Sequence, residues 1–256
     1  MKTMSAAARP CALIPVYNHP AVLEHTVAAL LDRNLPVVLI DDGSDADCRL
    51  LMEGIAANHP RVHLLQRADN GGKGAALKDG LHEALRLGYT HAIQIDADGQ
   101  HDLGDVTRFL DTARVHPEAL VAGYPAYDAS VPRHRYYARY ATHVWVWINT
   151  LSLEIRDAMC GFRVYPTAAS CALLERHAMG DRMDFDVEFI VRWAWSGQPL
   201  QQLHTRVIYP EDGVSHFRLW RDNLLISRMH ARLFFSMLSQ LPRRLLSRKD
   251  QPERAS

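Results

Sequence analysis

Ile95-Asp96-Ala97-Asp98-Gly99-Gln100-His101 sets two carboxylates one residue apart, then an amide and an imidazole, directly after the β-prone run Ala92-Ile93-Gln94. A strand ending on such a cluster delivers it at the strand's C-terminal end. Strand side chains alternate faces, so a turn at Ala97 lets both aspartates converge on one divalent cation, and hard oxygen ligands suit Mg²⁺ or Mn²⁺. A site of that kind handles phosphates. The same residues also read as turn chemistry, because Asp-Gly closes many strands.

Four more clusters carry chemistry of a related kind. In Pro15-Val16-Tyr17-Asn18, Tyr17 can lie over a base and Asn18 can bond it, or Asn18 can cap the next helix. Asp41-Asp42-Gly43-Ser44 offers carboxylates to an imide N–H or to ribose hydroxyls, and equally makes an Asp-Gly turn. Asn70-Gly71-Gly72-Lys73-Gly74 lacks the Walker A spacing, but glycines opening a helix expose N–H groups and Lys73 adds a point charge for a diphosphate. Asp184-Phe185-Asp186-Val187-Glu188 opens another helix, where the macrodipole favours acids. A general base is the alternative, and Asp186 and Glu188 point to different helix faces, so both cannot serve.

The elements that must position these clusters alternate along the chain. Apolar runs at 11–16, 37–40, 62–65, 92–95 and 120–122 are separated by helix-period segments such as 21–31 and 75–87. Continuous apolarity marks strands covered on both faces, the signature of a mostly parallel α/β sheet. Ligands of such sheets bind beyond the carboxyl ends of the strands, where the first four polar clusters fall. From Pro132 the chain reads as an aromatic helix (Tyr136, Tyr137, Tyr140, Trp145, Trp147), a turn at Met159-Cys160-Gly161, a helix from Phe185 and a strand at 200–209. The expected domains are a catalytic unit over 10–212, a closing loop with a basic amphipathic helix over 213–245, and a disordered tail over 246–256.

Composition narrows the class. The 256 residues are 48% hydrophobic, and Lys+Arg and Asp+Glu balance at 29 each, which argues against a nucleic-acid binder. The balance conceals a basic segment: over 217–249, Arg218, Arg221, Arg228, Arg232, Arg243, Arg244, Arg248 and Lys249 oppose Asp222 alone, a net of +7. Within it Ile226, Met229, Leu233, Met237 and Leu241 form an apolar stripe, which together with the charge predicts a helix lying on a membrane surface. Packing on its own domain would give the same stripe. Cys11, Cys48, Cys160 and Cys171 lack C-x-x-C spacing and read as buried, reduced thiols in the cytosol, with neither disulfide nor zinc. No signal-peptide or bilayer-length apolar run occurs, so a protein neither secreted nor transmembrane is expected. The missing G-x-G-x-x-G excludes a dinucleotide oxidoreductase, and the missing G-x-S-x-G a serine hydrolase. An aspartyl phosphatase would carry its D-x-D after the first strand.

In order, P-V-Y-N, I-D-D-G-S, N-G-G-K-G-A-A, I-D-A-D-G-Q-H, C-G-F-R-V-Y-P and D-F-D-V-E-F resemble the family 2 inverting glycosyltransferases, closest to the dolichyl-phosphate-mannose-synthase-like branch. The resemblance implies a single Rossmann-like GT-A domain, a nucleotide-diphospho-sugar donor and a Mg²⁺ or Mn²⁺ ion bridging its diphosphate. Carried over, Pro15, Tyr17, Asn18, Asp41 and Asp42 contact the nucleoside, and Lys73 lies near the nucleotide. Asp96 and Asp98 stand at the sugar-metal junction, Gln100 completes the metal shell, and Asp186 or Glu188 is the base. Gly161, Phe162 and Arg163 line the acceptor side, with His216 in a closing loop. Where the branch has Ser-Arg this chain has Gly123-Tyr124, and Arg135 or Arg139 is the expected replacement for that arginine. The implied acceptor is lipid-linked, a polyprenyl phosphate or glycolipid reached from the inner face of the cell membrane. The alternatives are a soluble or non-phosphate acceptor, a sugar-phosphate nucleotidyltransferase, or a non-catalytic module on the membrane.

Overall fold

The computed structural model describes residues 8–125, 133–206 and 219–249; the side chains of 133–138, 141, 219–221 and 240–249 lie outside the described residues. Seven strands form one sheet: β1 Pro10–Val16, β2 Val37–Asp41, β3 Val62–Gln66, β4 His91–Gln94, β5 Leu120–Pro125, β6 Arg163–Pro166 and β7 Leu200–Thr205, in the order β3-β2-β1-β4-β6-β5-β7. All neighbours pair in parallel except β6, which runs antiparallel between β4 and β5. The apolar runs legible in the sequence became β1 to β5 with ends moved by a few residues. β6 did not stand out, because its four buried residues include an arginine and follow a turn signal.

Because β1, β2 and β4 are covered on both faces, their side chains are almost all buried, and two cores result. One face packs against α1 Leu23–Asp32, α2 Ala46–Asn58 and α4 Val106–Val115 through residues such as Ile14, Leu39 and Phe109. The other takes α3 Lys73–Arg86, α5 Arg133–Thr150, α6 Thr167–Arg176, α7 Phe185–Trp195 and α8 Leu219–Lys249, through Leu77, Val146, Phe189, Trp193 and Leu233. The cysteines divide between them: Cys11 and Cys171 in the second core, Cys48 and Cys160 in the first.

α8 corrects one expectation. Met229 and Leu233 of the stripe assigned to a membrane surface are fully buried in the core that holds Val146 of α5, and Met237 is buried too. That stripe seals the domain, because it covers apolar side chains that the sheet and α7 leave uncovered. Leu241, the last residue of the stripe, and the loop residue His216 lie outside the described residues. Among the described residues no helix is long and apolar enough to cross a membrane.

Candidate active site

The strand order reverses at β1, with β2 and β3 on one side and β4 on the other. Diverging connections open a crevice at the carboxyl ends of β1 and β4, the usual ligand position in such sheets. Pro15-Val16-Tyr17-Asn18 closes β1 there, and Asp96 and Asp98 follow β4.

Lys73 organises the crevice. It is the first residue of α3, and its ammonium lies 2.8 Å from an Asp96 carboxylate oxygen and 3.2 Å from Asp186 Oδ2 of α7. Burial alone would lower the Lys73 pKa, but Asp186 and Asp96 together outweigh it and hold the ammonium well above its ordinary value. Burial alone would raise Asp96, yet Lys73 and His101 outweigh it and keep that carboxyl well below the carboxylate range. Behind it, Tyr165 donates to Gln94 Oε1 at 2.8 Å and Gln94 Nε2 donates to Asp96 Oδ1 at 3.2 Å. His101 Nε2 stands 3.3 Å from Asp96 Oδ2 without an aligned hydrogen bond. Gly161 closes the cluster: a Cβ there would stand 2.6 Å from Gln94 Nε2 and 2.8 Å from Lys73 Nζ, so any side chain would push these groups out of place.

Of the acidic run, Asp186 alone faces this cluster. Its Oδ1 is buried without a hydrogen-bond partner among the described residues. Glu188 faces elsewhere, fully buried between Arg192 (2.7 Å) and Arg232 of α8, with the Gly180 N–H at 3.0 Å. Asp184 accepts from the Arg182 N–H at 3.2 Å instead of capping α7 with its side chain.

The residues expected at the nucleoside are engaged by neighbouring groups. Asn18, in left-handed backbone at φ 51°, accepts the Asp45 N–H at 2.8 Å and so ties the β1 turn to the start of α2 rather than capping α1. Tyr17 is partly exposed, and its carbonyl lies 2.9 Å from His19 Nδ1. Asp41 accepts from the Ser44 N–H at 2.8 Å and from Arg49 Nε at 3.2 Å. Asp42 accepts from Arg67, Gly71 N–H (3.0 Å) and Gly72 N–H (2.8 Å). The expected amide cradle for a diphosphate is therefore already occupied, because a buried carboxylate must have donors and these are nearest. Ala75 N–H, one turn on, goes to the Asp181 carbonyl at 2.9 Å.

On the expected acceptor side, Arg139 pairs with buried Asp157 through two 2.7 Å bonds, and His143 stands 3.3 Å from the same carboxylate. Burial would raise Asp157, but His143 and Arg139 prevail and lower it. Arg163 is fully buried and donates to the carbonyls of Cys160, Asp186 and Ala158 at 2.9, 2.7 and 2.7 Å. It braces the loop before β6 against α7 and turns no donor toward solvent, contrary to an acceptor contact. Phe162 is buried against Phe109 and His101. The Arg135 side chain lies outside the described residues.

For a cation, Asp98 and Gln100 fit by their chemistry. Both are partly exposed, and Asp98 accepts one hydrogen bond, from the Gln100 N–H at 3.0 Å, whereas Asp96 is engaged by Lys73. Among the described residues no three His, Cys, Asp or Glu form a closed cage. One or two carboxylates completed by substrate phosphates and water is how Mg²⁺ is commonly held. Sequence reasoning gave no role to Arg67 or Asp157, which are partners distant in sequence; Gln94, His101 and Tyr165 stood inside quoted motifs without a role of their own, and Arg232 was read as surface charge.

Residues 11–182 match the family model described as glycosyl transferase family 2. The polyprenol monophosphomannose synthase of Mycolicibacterium smegmatis is 27% identical over 179 residues, covering 64% of this chain and 63% of that relative. The undecaprenyl-phosphate mannosyltransferase of Micrococcus luteus is 27% identical over 214 residues, covering 81% of this chain and 86% of the relative. In fold, the chain is similar to a mannosyltransferase of Pyrobaculum calidifontis solved with GDP-Man and Mn²⁺, with a TM-score of 0.54, 19% identity and coverage of 80% of this chain and 58% of that one. With two thirds of its length matched in one stretch and the crevice built at the β1/β4 reversal, the chain belongs to glycosyl transferase family 2.

Proposed function

We propose that the protein is a metal-dependent inverting hexosyltransferase that moves a sugar from a nucleotide-diphospho-sugar to a polyprenyl phosphate, working peripherally on the inner face of the cell membrane through its C-terminal helix. The observation that carries this reading is the Lys73 ammonium held between Asp96 and Asp186 in the β1/β4 crevice, with Asp98 two residues beyond Asp96. The names of the two mannosyl-transferring relatives support the lipid phosphate acceptor. The nucleotide and the sugar stay unassigned.

In this reading the nucleoside lies against Pro15, Tyr17 and Asn18 at the end of β1, and contact with Asp41 or Asp42 requires exchanging their present partners. Asp98 and Gln100, with Asp96, would hold Mg²⁺ or Mn²⁺. A bound ion supplies positive charge where the departing diphosphate gains negative charge. Lys73 adds a second positive charge beside it. The acceptor oxygen attacks the anomeric carbon from the face opposite the diphosphate, which inverts the configuration. A phosphate acceptor is already anionic and needs no strong base, so Asp186 Oδ1 takes only a proton that the incoming group still carries. Glu188, fixed by two arginines, takes no part in proton transfer.

Calorimetric titration of a panel of nucleotide sugars, with and without EDTA, tests the reading on wild type and Asp98→Ala. Binding is expected only in wild type with the cation present. Equal affinity in all four conditions would overturn the metal role.

A further inference from the structure

α8 carries a second apolar stripe besides the one that seals the domain. Leu224, Ala231, Phe235 and Leu238 recur at helical spacing and are all exposed, with Phe235 at 68% and Leu224 at 50%. On α5, Tyr140, Val144 and Ile148 recur every fourth residue on the exposed side, with Trp145 beside them at 43%. The two stripes meet: the Trp145 ring lies 6.3 Å from Phe234, and Phe234 lies 5.8 Å from Phe235. A helix apolar on both sides is built for two apolar surroundings, and the domain supplies one of them.

We propose that this α5–α8 surface lies in the headgroup plane of an anionic bilayer, with Trp145 and Phe235 as its inserted side chains. Charge selects the occupant. Exposed Arg228 and Arg232 border the stripe, and the segment 217–249 carries a net +7. A second copy docking by this face would bring like charges together across a two-fold axis, whereas an anionic leaflet complements them. Trp at the boundary between acyl chains and headgroups suits its amphipathic ring. The proposal deepens the lipid-acceptor reading and rests on it only for its purpose. α8 is joined to α7 by the Arg232–Glu188 ion pair, and α7 carries Asp186, so the docked surface fixes the height of the crevice over the bilayer.

The test is flotation of the full chain with phosphatidylcholine vesicles, with and without phosphatidylglycerol, at low and high salt. Phe235→Glu/Leu238→Glu is compared with wild type after circular dichroism shows it folded; both side chains are exposed, so the domain core is untouched. Wild type is expected to float with anionic vesicles and to lose that binding in high salt. The double variant is expected to bind at least about tenfold less, while retaining cation-dependent nucleotide release from donor in detergent. Wild type left in the supernatant, or a variant that floats like wild type, would overturn the proposal. So would a wild-type dimer by light scattering that the double substitution disrupts, since the second copy would then be the occupant. If flotation behaves as expected but no lipid product forms, the docking surface stands and the acceptor assignment fails.

Discussion

Lys73 is charged whatever the pH of the medium near neutrality, and what it touches decides the chemistry of the crevice. Paired with Asp96 and Asp186, it leaves Asp186 Oδ1 buried without a hydrogen-bond partner among the described residues, as are both ring nitrogens of His101 beside Asp96. Asp186→Asn keeps the side chain's shape and removes its charge, so turnover is expected to fall most, by up to about 10²–10⁴, at low pH where the phosphate acceptor still carries a proton, and least at high pH, with a melting temperature close to wild type. Glu188→Ala is the converse case. It leaves Arg192 buried beside half-exposed Arg232 without their carboxylate, and a destabilisation of about 3 kcal/mol is expected in urea unfolding. Activity per folded molecule should then fall far less than in Asp186→Asn. If Glu188→Ala instead kept full stability and lost turnover, the two roles would have to be exchanged. Asp157 is depressed in the folded state, so its contribution to stability is present above the unfolded value near 4 and is lost as pH falls further. Asp157→Asn should therefore lower stability at neutral pH and flatten the acid limb of the unfolding curve. Lys73, Asp96, Asp186 and Glu188 stand in motifs legible in the sequence, whereas Arg192 and Asp157 do not. Their pairings were not legible, because Lys73 and Asp96 meet only once α3 packs across β1 and β4.

At the scale of elements, strands were legible where apolar residues ran unbroken, and β6 was not, because Arg163 interrupts its run and is buried only by donating to three carbonyls. α8 was legible as a helix, but not which of its two apolar faces turns inward. Both have helical spacing, and only the hollow left by α5 and α7 decides. The α5–α8 contact also carries a titration. His230, beneath Trp145 and 3.3 Å from Asn149, is held by burial at about 4 rather than 6.5. Between those values the unfolded chain binds a proton that the folded chain refuses, so stability falls as pH drops from 6.5 toward 4, by up to about 3 kcal/mol. Thermal unfolding at pH 7 and at pH 4.5 should show that loss in wild type and a smaller one in His230→Gln. An equal loss in both proteins would place the titrating group elsewhere.

The whole molecule follows from one topological event, the reversal of strand order at β1, which sets donor-side turns and the β4 carboxylates around a single crevice. The mostly parallel sheet was readable from the unbroken apolar runs, and the family from the order of the motifs. The diphosphate cradle was misread, because Gly71 and Gly72 N–H groups look unengaged in sequence and are claimed by Asp42 in the fold. In the proposed reading, positive charge for the donor rests on Lys73 and a cation at Asp98, with the acceptor approaching from the side of α7. Transfer itself tests that arrangement most directly: purified protein, labelled nucleotide sugars and Mn²⁺ are incubated with polyprenyl phosphate, with the unphosphorylated polyprenol, or with a soluble phosphorylated acceptor, and label is followed into the organic phase. The expected result is label on the polyprenyl phosphate only, abolished by EDTA and by Asp98→Ala. Label on the soluble acceptor with none on lipid, or lipid transfer that survives loss of both the cation and Asp98, would contradict the account.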